Sequence, residues 1–418
     1  MKKLDYRKIS LKALHNVKSL ILDAEFRKRA KSAPNCFTRE RKMGFVSIIK
    51  FLLNMPRRPL PVELDEFCGA ESVSKQAFSK SRQNIKSEAF RELAHASAET
   101  VMLETKGCDD FRSYRVFAVD GTELEIPSTP ENIAFFGTHG SKTACRARAS
   151  ALLHISTNVL ADVDITPLAV CERTHAYAHI EYLKQFSSEH ELLLFDRGYP
   201  SRELIKTLED ANFKYLMRVQ RSFSKEIDEN PSKDFRFMLA YKKHKLNIRV
   251  ARVVLDTGEI ETLITNLPES EFETECFKEL YFIRWGIESK YNTLKNKLLI
   301  EHFSGKTRLT IEQDFFATIC TANLIALAKG AADQLIAEEN AAKSLKYKYQ
   351  ANEKLAIKKA KDQLLRIMAE DDLTIRERLL DAFIDDIARH RSEIRPGRHF
   401  SRPSDCRHRR RKRIKTVI

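Results

Sequence analysis

Apolar residues recur along this 418-residue chain with two different periods, and the change from one to the other divides it. From the N-terminus to about residue 105 the spacing is helical: it runs through VSIIKFLLNM, is broken at Pro56, Pro59 and Pro61, and resumes in VELDEFC. Gly69 permits a turn, and Ser74 is placed to cap a helix KQAFSKSRQNI on which Gln76, Lys80 and Gln83 come near one another. With Lys75, Arg82 and Lys86 close by, this helix-turn-helix pattern suits contact with a DNA groove or backbone. The plainer alternative is a helical bundle with a solvated basic face.

From residue 112 the period shortens to two. YRVFAVDG, ELEIP, ASALLHIST and VLADVDITP are consecutive β runs, HAYAHIEYLKQF is a helix, and ELLLFDRG, SRELIKTLEDANF and KYLMRVQ follow as strand, helix and strand. Further β runs, FRFMLA, LNIRVARVVL and IETLITNL, lead to the segment YFIRWGIESKYNTLKNKL. As one helix, this segment gathers Ile283, Ile287, Tyr291, Leu294 and Leu298 on one arc and Tyr281, Arg284, Glu288 and Lys295 within an adjoining arc of roughly 60°. A carboxylate flanked by two cations and a phenol suits a phosphate backbone and a divalent metal together; the plainer alternative is a charged helix with exposed pairs such as Arg284 with Glu288. A long apolar helix near 315–328 follows, residues 331–390 look helical, and Pro396, Gly397 and Pro403 introduce a basic tail, RHRRRKRIK.

The spacing of Tyr281, Arg284, Glu288 and Lys295 resembles the YREK signature of bacterial insertion-sequence transposases of the DDE type. The likeness covers roughly residues 112–328 and includes DGT and FDRGY upstream, in the family's order. It implies that Glu288 is the third catalytic carboxylate, with Asp120 in VFAVDGTELEIP and Asp196 in ELLLFDRGYPS as the other two. Both aspartates close apolar runs and precede Gly-containing turns in this pattern.

The expected fold is α/β. Its core is ribonuclease H-like, a mixed five-stranded sheet with flanking helices in which the first and fourth strands are neighbours, bringing together two aspartates 76 residues apart. The expected division is a helical DNA-binding domain at 1–110, the core at 111–220 and 269–330, a β-rich insertion at 221–268, a helical region at 331–390 and a disordered tail at 391–418.

Charge fits this division. The net of +15 is concentrated at the ends: residues 1–110 carry +8 and residues 391–418 carry +9, leaving the middle near neutral. Basic ends flanking a neutral core suit a protein that grips a polyanion while its core acts on it. The eight cysteines form no C-x-x-C pair, and His390, His399, Cys406 and His408 in the arginine-rich tail make a poor zinc site. MKKLDYRKIS lacks a signal peptide's apolar core, and the most apolar helix is interrupted by Thr, Asn and Lys329, so a soluble protein of the bacterial cytosol or nucleoid, away from membranes, is expected.

Phosphodiester cleavage needs an activated oxygen nucleophile and charge neutralisation at phosphorus, which two divalent ions roughly 3.5–4 Å apart supply. Asp120, Asp196 and Glu288 are a sufficient protein contribution for two Mg²⁺, with Mn²⁺ able to substitute. Tyr281, Arg284, Lys295 and Arg197 are the candidates for DNA-phosphate contact. Gly198 permits a turn, Gly137 and Gly140 in FFGTHGSK have the composition of a phosphate nest, and Trp285, the single tryptophan, is expected to pack in the core. The resemblance implies cleavage at terminal inverted repeats of double-stranded DNA, joining of the 3′-hydroxyl ends to target DNA, a hairpin intermediate and a homodimeric synapse. A metal-dependent nuclease without strand transfer and a catalytically inactive DNA-binding relative are the alternatives.

Overall fold

The computed structural model describes residues 4–395 apart from 40, 55–57, 70–72, 141–143, 188–189, 256–257 and 344–346. The tail from 396 onward, with His399, Cys406 and His408, lies outside the described residues. The chain forms two compact units, Ala98–Leu294 with Met1–Leu4, and Asp5–Ser97 with Lys295–Ile418.

Among its described residues the first unit holds eight strands: β1 (Arg115–Glu125), β2 (Arg146–His154), β3 (Val159–Pro167), β4 (Glu191–Phe195), β5 (Lys214–Val219), β6 (Asp234–Tyr241), β7 (His244–Val254) and β8 (Ile260–Thr265). They make one mixed sheet in the order β3-β2-β1-β4-β5-β8-β7-β6. β1 pairs antiparallel with β2 and parallel with β4, and β4 pairs parallel with β5. The first and fourth strands are therefore neighbours. The runs at 221–268, expected as an insertion, extend this same sheet beyond β5 through antiparallel pairs.

Alternation sorts side chains to the two faces. Phe117, Val119, Leu193 and Phe195 pack with Ile180 of helix Glu172–Lys184 and with Leu204 and Leu208 of helix Arg202–Asp210. Val116, Leu192 and Leu194 pack on the other face with Leu267, Phe277 and Leu280. All five residues of β4 are buried, as a strand covered on both faces requires. At the start of the β1–β4 ladder Arg115 faces Glu191, and the two fully buried side chains form a two-pronged ion pair at 2.5 and 2.9 Å. Arg115 also donates to the carbonyls of Met102 and Phe186 and to Thr105 Oγ1, so its charge is well satisfied.

Two expectations about local structure are corrected. YRVFAVDG and ELEIP form one strand, because β2 pairs with β1 without interruption from Phe117 to Glu125, so Asp120 lies mid-strand and Gly121 makes no turn. The segment from Tyr281 to Lys295 is two helices, Cys276–Ile283 and Trp285–Asn296, joined at Arg284. There the backbone tightens into three-residue hydrogen bonds, Arg284 N to Tyr281 O and Ile287 N to Arg284 O.

In the second unit helix Arg308–Ala342 is much longer than the apolar run that announces it. Its start is fixed by a capping box between Thr307 and Thr310. It is long and apolar enough to cross a membrane, but 89% of its most apolar stretch is buried within the protein, as in a core helix. Helix Lys75–Arg82 begins as expected, with Ser74 Oγ accepting from the Ala77 amide. Lys75, Gln76, Lys80, Gln83 and Lys86 are exposed. Arg82 is not available to DNA: only 1% exposed, it binds Asp314 at 2.9 Å, Gln313 at 2.8 Å, Ser304 at 2.7 Å and the Thr310 carbonyl at 3.2 Å. Strands β9 (Lys348–Ala351) and β10 (Arg391–Ile394) pair antiparallel, so the first residues of the basic C-terminal segment are ordered structure.

Candidate active site

The β1–β4 register runs from Arg115 opposite Glu191 to Val119 opposite Phe195. Asp120 and Asp196 are the next residue on each strand. Paired parallel strands lie roughly 4.8 Å apart, and alternation turns both aspartates to the face on which helix Cys276–Ile283 packs. Asp196 stands at the strand end, where the Tyr199 amide closes a turn on its carbonyl.

The third carboxylate reaches them through Arg284. Its guanidinium, 3% exposed, donates from Nη2 to Glu288 Oε1 at 3.0 Å and lies with Nη1 3.9 Å from Asp120 Oδ2. It also covers the rings of Tyr281 and Trp285, with Cζ 5.3 and 5.5 Å from their centroids. Nε and Nη1 are buried without a hydrogen-bond acceptor, so part of this cation's donor capacity is unspent. Tyr281 Oη donates to Asp196 Oδ1 at 3.0 Å, and Tyr291 Oη donates to the Asp120 carbonyl at 2.7 Å. Burial raises both phenols, helped at Tyr281 by the Asp196 carboxylate and at Tyr291 by Asp120. Both stay protonated donors.

Among the carboxylates of the site, Asp120 is the one whose proton is held most tightly. Burial pushes its carboxyl up to about 7, with Glu288 and Asp196 adding to the shift and the Gly121 amide and Arg284 opposing it. An unfolded aspartate titrates near ~3.9. Between those values the folded protein keeps a proton that the unfolded chain has released, so this group's contribution to stability is greatest in acid and is lost as pH rises through about 7. Asp120→Asn should therefore stabilise the metal-free protein at pH 8 by about 2 kcal/mol, with the gap closing towards pH 5. Thermal melts at the two pH values check this; a variant less stable than the wild type at pH 8 would contradict it.

Among the described residues no three Asp, Glu, His or Cys side chains meet closely enough to form a ready metal cage. The carboxylates gather instead around the Arg284 cation. Their chemistry still fits a hard divalent ion: all donors are oxygens, and the most buried of them resists ionisation until more positive charge is near.

Of the remaining candidates, Arg197 is exposed beside Asp196, and Lys295 is half-buried in the last turn of its helix. Tyr281 and Arg284, expected at DNA phosphates, here face the carboxylates. Trp285 is not in the core: 43% of it is exposed, and Phe282, one turn before it, is 65% exposed. Gly137 ends helix Pro130–Phe136, at φ 97° with its amide on the Ile133 carbonyl, which accounts for that glycine without a phosphate. Tyr291 is the contact that the sequence pattern conceals, since its spacing marks it as a core position and it is also buried.

A mixed sheet carries two aspartates on adjacent parallel strands and is faced by a helix bearing a glutamate, so the site is centred on carboxylates. The family described as the transposase DDE domain matches residues 111–324, over half of the chain, and the chain belongs to it. Putative transposase InsZ of Escherichia coli (strain K12) is 22% identical over 179 residues, covering 41% of this chain and 58% of that relative. The match thus spans less than two thirds of its length. Among solved structures, the piggyBac transposase synaptic complex with hairpin DNA aligns over 91% of this chain and 85% of its own at 11% identity, with a TM-score of 0.47. A pre-cleavage Mos1 transpososome aligns over 71% and 79% at 12% identity, with a TM-score of 0.21.

Proposed function

We propose that the chain is a cut-and-paste DNA transposase of an insertion sequence, with a ribonuclease H-like core, that cleaves at terminal inverted repeats and joins the freed 3′-hydroxyl ends to target DNA. The observation that carries this reading is the β1–β4 register, which sets Asp120 and Asp196 side by side, facing Arg284 and Glu288. Asp120, Asp196 and Glu288 would hold Mg²⁺ or Mn²⁺, two ions in the expected arrangement. Bound there, the metal supplies a more acidic attacking hydroxyl or water and neutralises charge at the scissile phosphate.

The protein's own groups act before and around that event. Arg284 screens the carboxylates from one another while the site is free of DNA. Its Nε–H and Nη1–H donors are buried and unspent, so Arg284 must swing out of the carboxylate cluster to meet a phosphate oxygen, and in doing so it releases Glu288. Tyr281 holds Asp196 in one orientation, and Tyr291 holds the β1 backbone at Asp120. Arg197 and Lys295 supply phosphate contacts at the border of the site. Lys75, Lys80 and Lys86 supply backbone contacts in the N-terminal region. A homodimeric synapse in the cytosol completes the proposal.

Purified protein, a plasmid bearing the element's ends and a second target plasmid test it. Mg²⁺-dependent nicking at the ends followed by joining of 3′-hydroxyls to the target is expected. Nicking without joining would leave a nuclease, and binding without nicking a DNA-binding relative.

The basic tail gives a separate expectation. Removing residues 407–418 deletes Arg407, Arg409, Arg410, Arg411, Lys412, Arg413 and Lys415 and no acid. With about half of them on phosphates, the slope of log affinity against log salt should shrink by about 3. The loss should be similar for the element's ends and for unrelated DNA, because such contacts read no base edges. Salt titrations of both DNAs check this; an unchanged slope would place the tail away from DNA.

A further inference from the structure

Behind the aspartates lies a fourth carboxylate. Glu172 opens helix Glu172–Lys184 and accepts from Arg148 Nη1 at 2.7 Å through Oε1. Arg148 stands on β2, opposite Glu123 of β1 and Thr166 of β3, and its Nη2 donates to the Leu168 carbonyl at 3.3 Å. Glu172 is thereby tied to β2, the strand beside β1.

Two glycines show what it touches. Gly121 directly follows Asp120, and Gly198 comes two residues after Asp196. A side-chain carbon at Gly121 would meet Glu172 Oε1 at 3.3 Å, and one at Gly198 would meet Oε2 at 3.1 Å, with nothing else within 4 Å of the latter. Neither glycine has the positive φ that would demand one. Both positions leave room for the same carboxylate, one oxygen near each segment, and a side-chain carbon at either would have to displace it by a few tenths of an ångström. The β1–β4 ladder ends at Val119 and Phe195, so Glu172 bridges the two segments just beyond the last backbone pair.

We propose that Glu172, held by Arg148, is a positioning residue that sets the separation of the Asp120 and Asp196 segments and hence their affinity for a divalent ion. The proposal rests on the reading of Asp120 and Asp196 as metal ligands. A merely structural pair predicts otherwise: half-exposed ion pairs add little to stability, and a helix-start acid needs no partner glycines.

The test is Mn²⁺ titration of the full-length protein without DNA, followed by quenching of Trp285, the only tryptophan, which stacks on Arg284 at the site. Melting temperatures are recorded in parallel. The wild type should quench saturably and Asp196→Asn should not. Glu172→Ala should weaken Mn²⁺ binding about tenfold, in the range seen when groups supporting metal ligands are removed, with little change in melting temperature. Glu172→Gln, which keeps the volume and an oxygen for Arg148, should restore most of the affinity. Gly198→Ala pushes on Glu172 alone and should weaken binding in the wild type but not in the Glu172→Ala background, a non-additivity that marks a shared path. Should Glu172→Ala fail to fold, Gly198→Ala decides alone. Wild-type affinity in Glu172→Ala or Gly198→Ala would overturn the positioning role. Quenching that Asp196→Asn leaves intact, or none in the wild type, would overturn the metal-site reading and this role with it.

Discussion

Glu288→Gln should leave binding to the element's ends within about twofold of the wild type while Mg²⁺-dependent cleavage falls by at least about a thousandfold. The amide keeps the shape of the side chain and one oxygen for the Arg284 hydrogen bond at 3.0 Å, so the packing of Arg284 against Tyr281 and Trp285 survives. What is lost is one of three negative charges facing the expected metal. Charge stabilisation of this kind accounts for several kcal/mol of a phosphoryl-transfer barrier, and each ~1.4 kcal/mol is a factor of ten in rate. Gel-shift and plasmid-nicking assays on one preparation separate the two effects. Cleavage retained above a hundredth of the wild-type rate would mean that the third ligand is a different residue, and lost binding would mean that Glu288 serves the fold or the DNA contact.

Most of what brings the two aspartates together was legible along the chain. The switch of period at residue 112 and the order of strands and helices after it give neighbouring first and fourth strands, and these are the strands that bring Asp120 beside Asp196. What escaped depends on partners distant in sequence. Gly121 has the look of a turn, yet β2 carries the ladder straight past it, and its smallness answers to Glu172. Arg82 looks like one more surface cation, and only the folded unit reveals Asp314 and Gln313 around it. Trp285 has the composition of a core residue, but the tightened turn at Arg284 leaves it partly in solvent. That same turn was invisible because helical periodicity continues across it with little change of phase. Arg148 and Glu172 carry no spacing signal at all; they meet only because the start of helix Glu172–Lys184 comes against Arg148 of β2.

The second large effect should come from a pair far from any chemistry. Glu191→Ala is expected to destabilise the protein by about 3–5 kcal/mol, because it leaves the Arg115 guanidinium, 1% exposed, without its counter-charge. The Met102 and Phe186 carbonyls and Thr105 Oγ1 would still accept from it, but none of them carries the charge needed to offset desolvation. Replacing both members, Arg115→Met with Glu191→Leu, should cost clearly less than the single change, since no charge then remains buried. Urea unfolding of the wild type and the two variants measures this, and a double variant as unstable as Glu191→Ala would show the cost to be packing instead of charge. The pair also has a bearing on the site. Arg115 and Glu191 fix the first rung of the ladder whose last rung stands one residue before each aspartate. A slip of one residue along β4 would turn Asp196 to the opposite face. Under mild conditions where Glu191→Ala remains folded, its Mg²⁺-dependent cleavage should match the wild type. A loss of cleavage there would show that the ion pair holds the register itself.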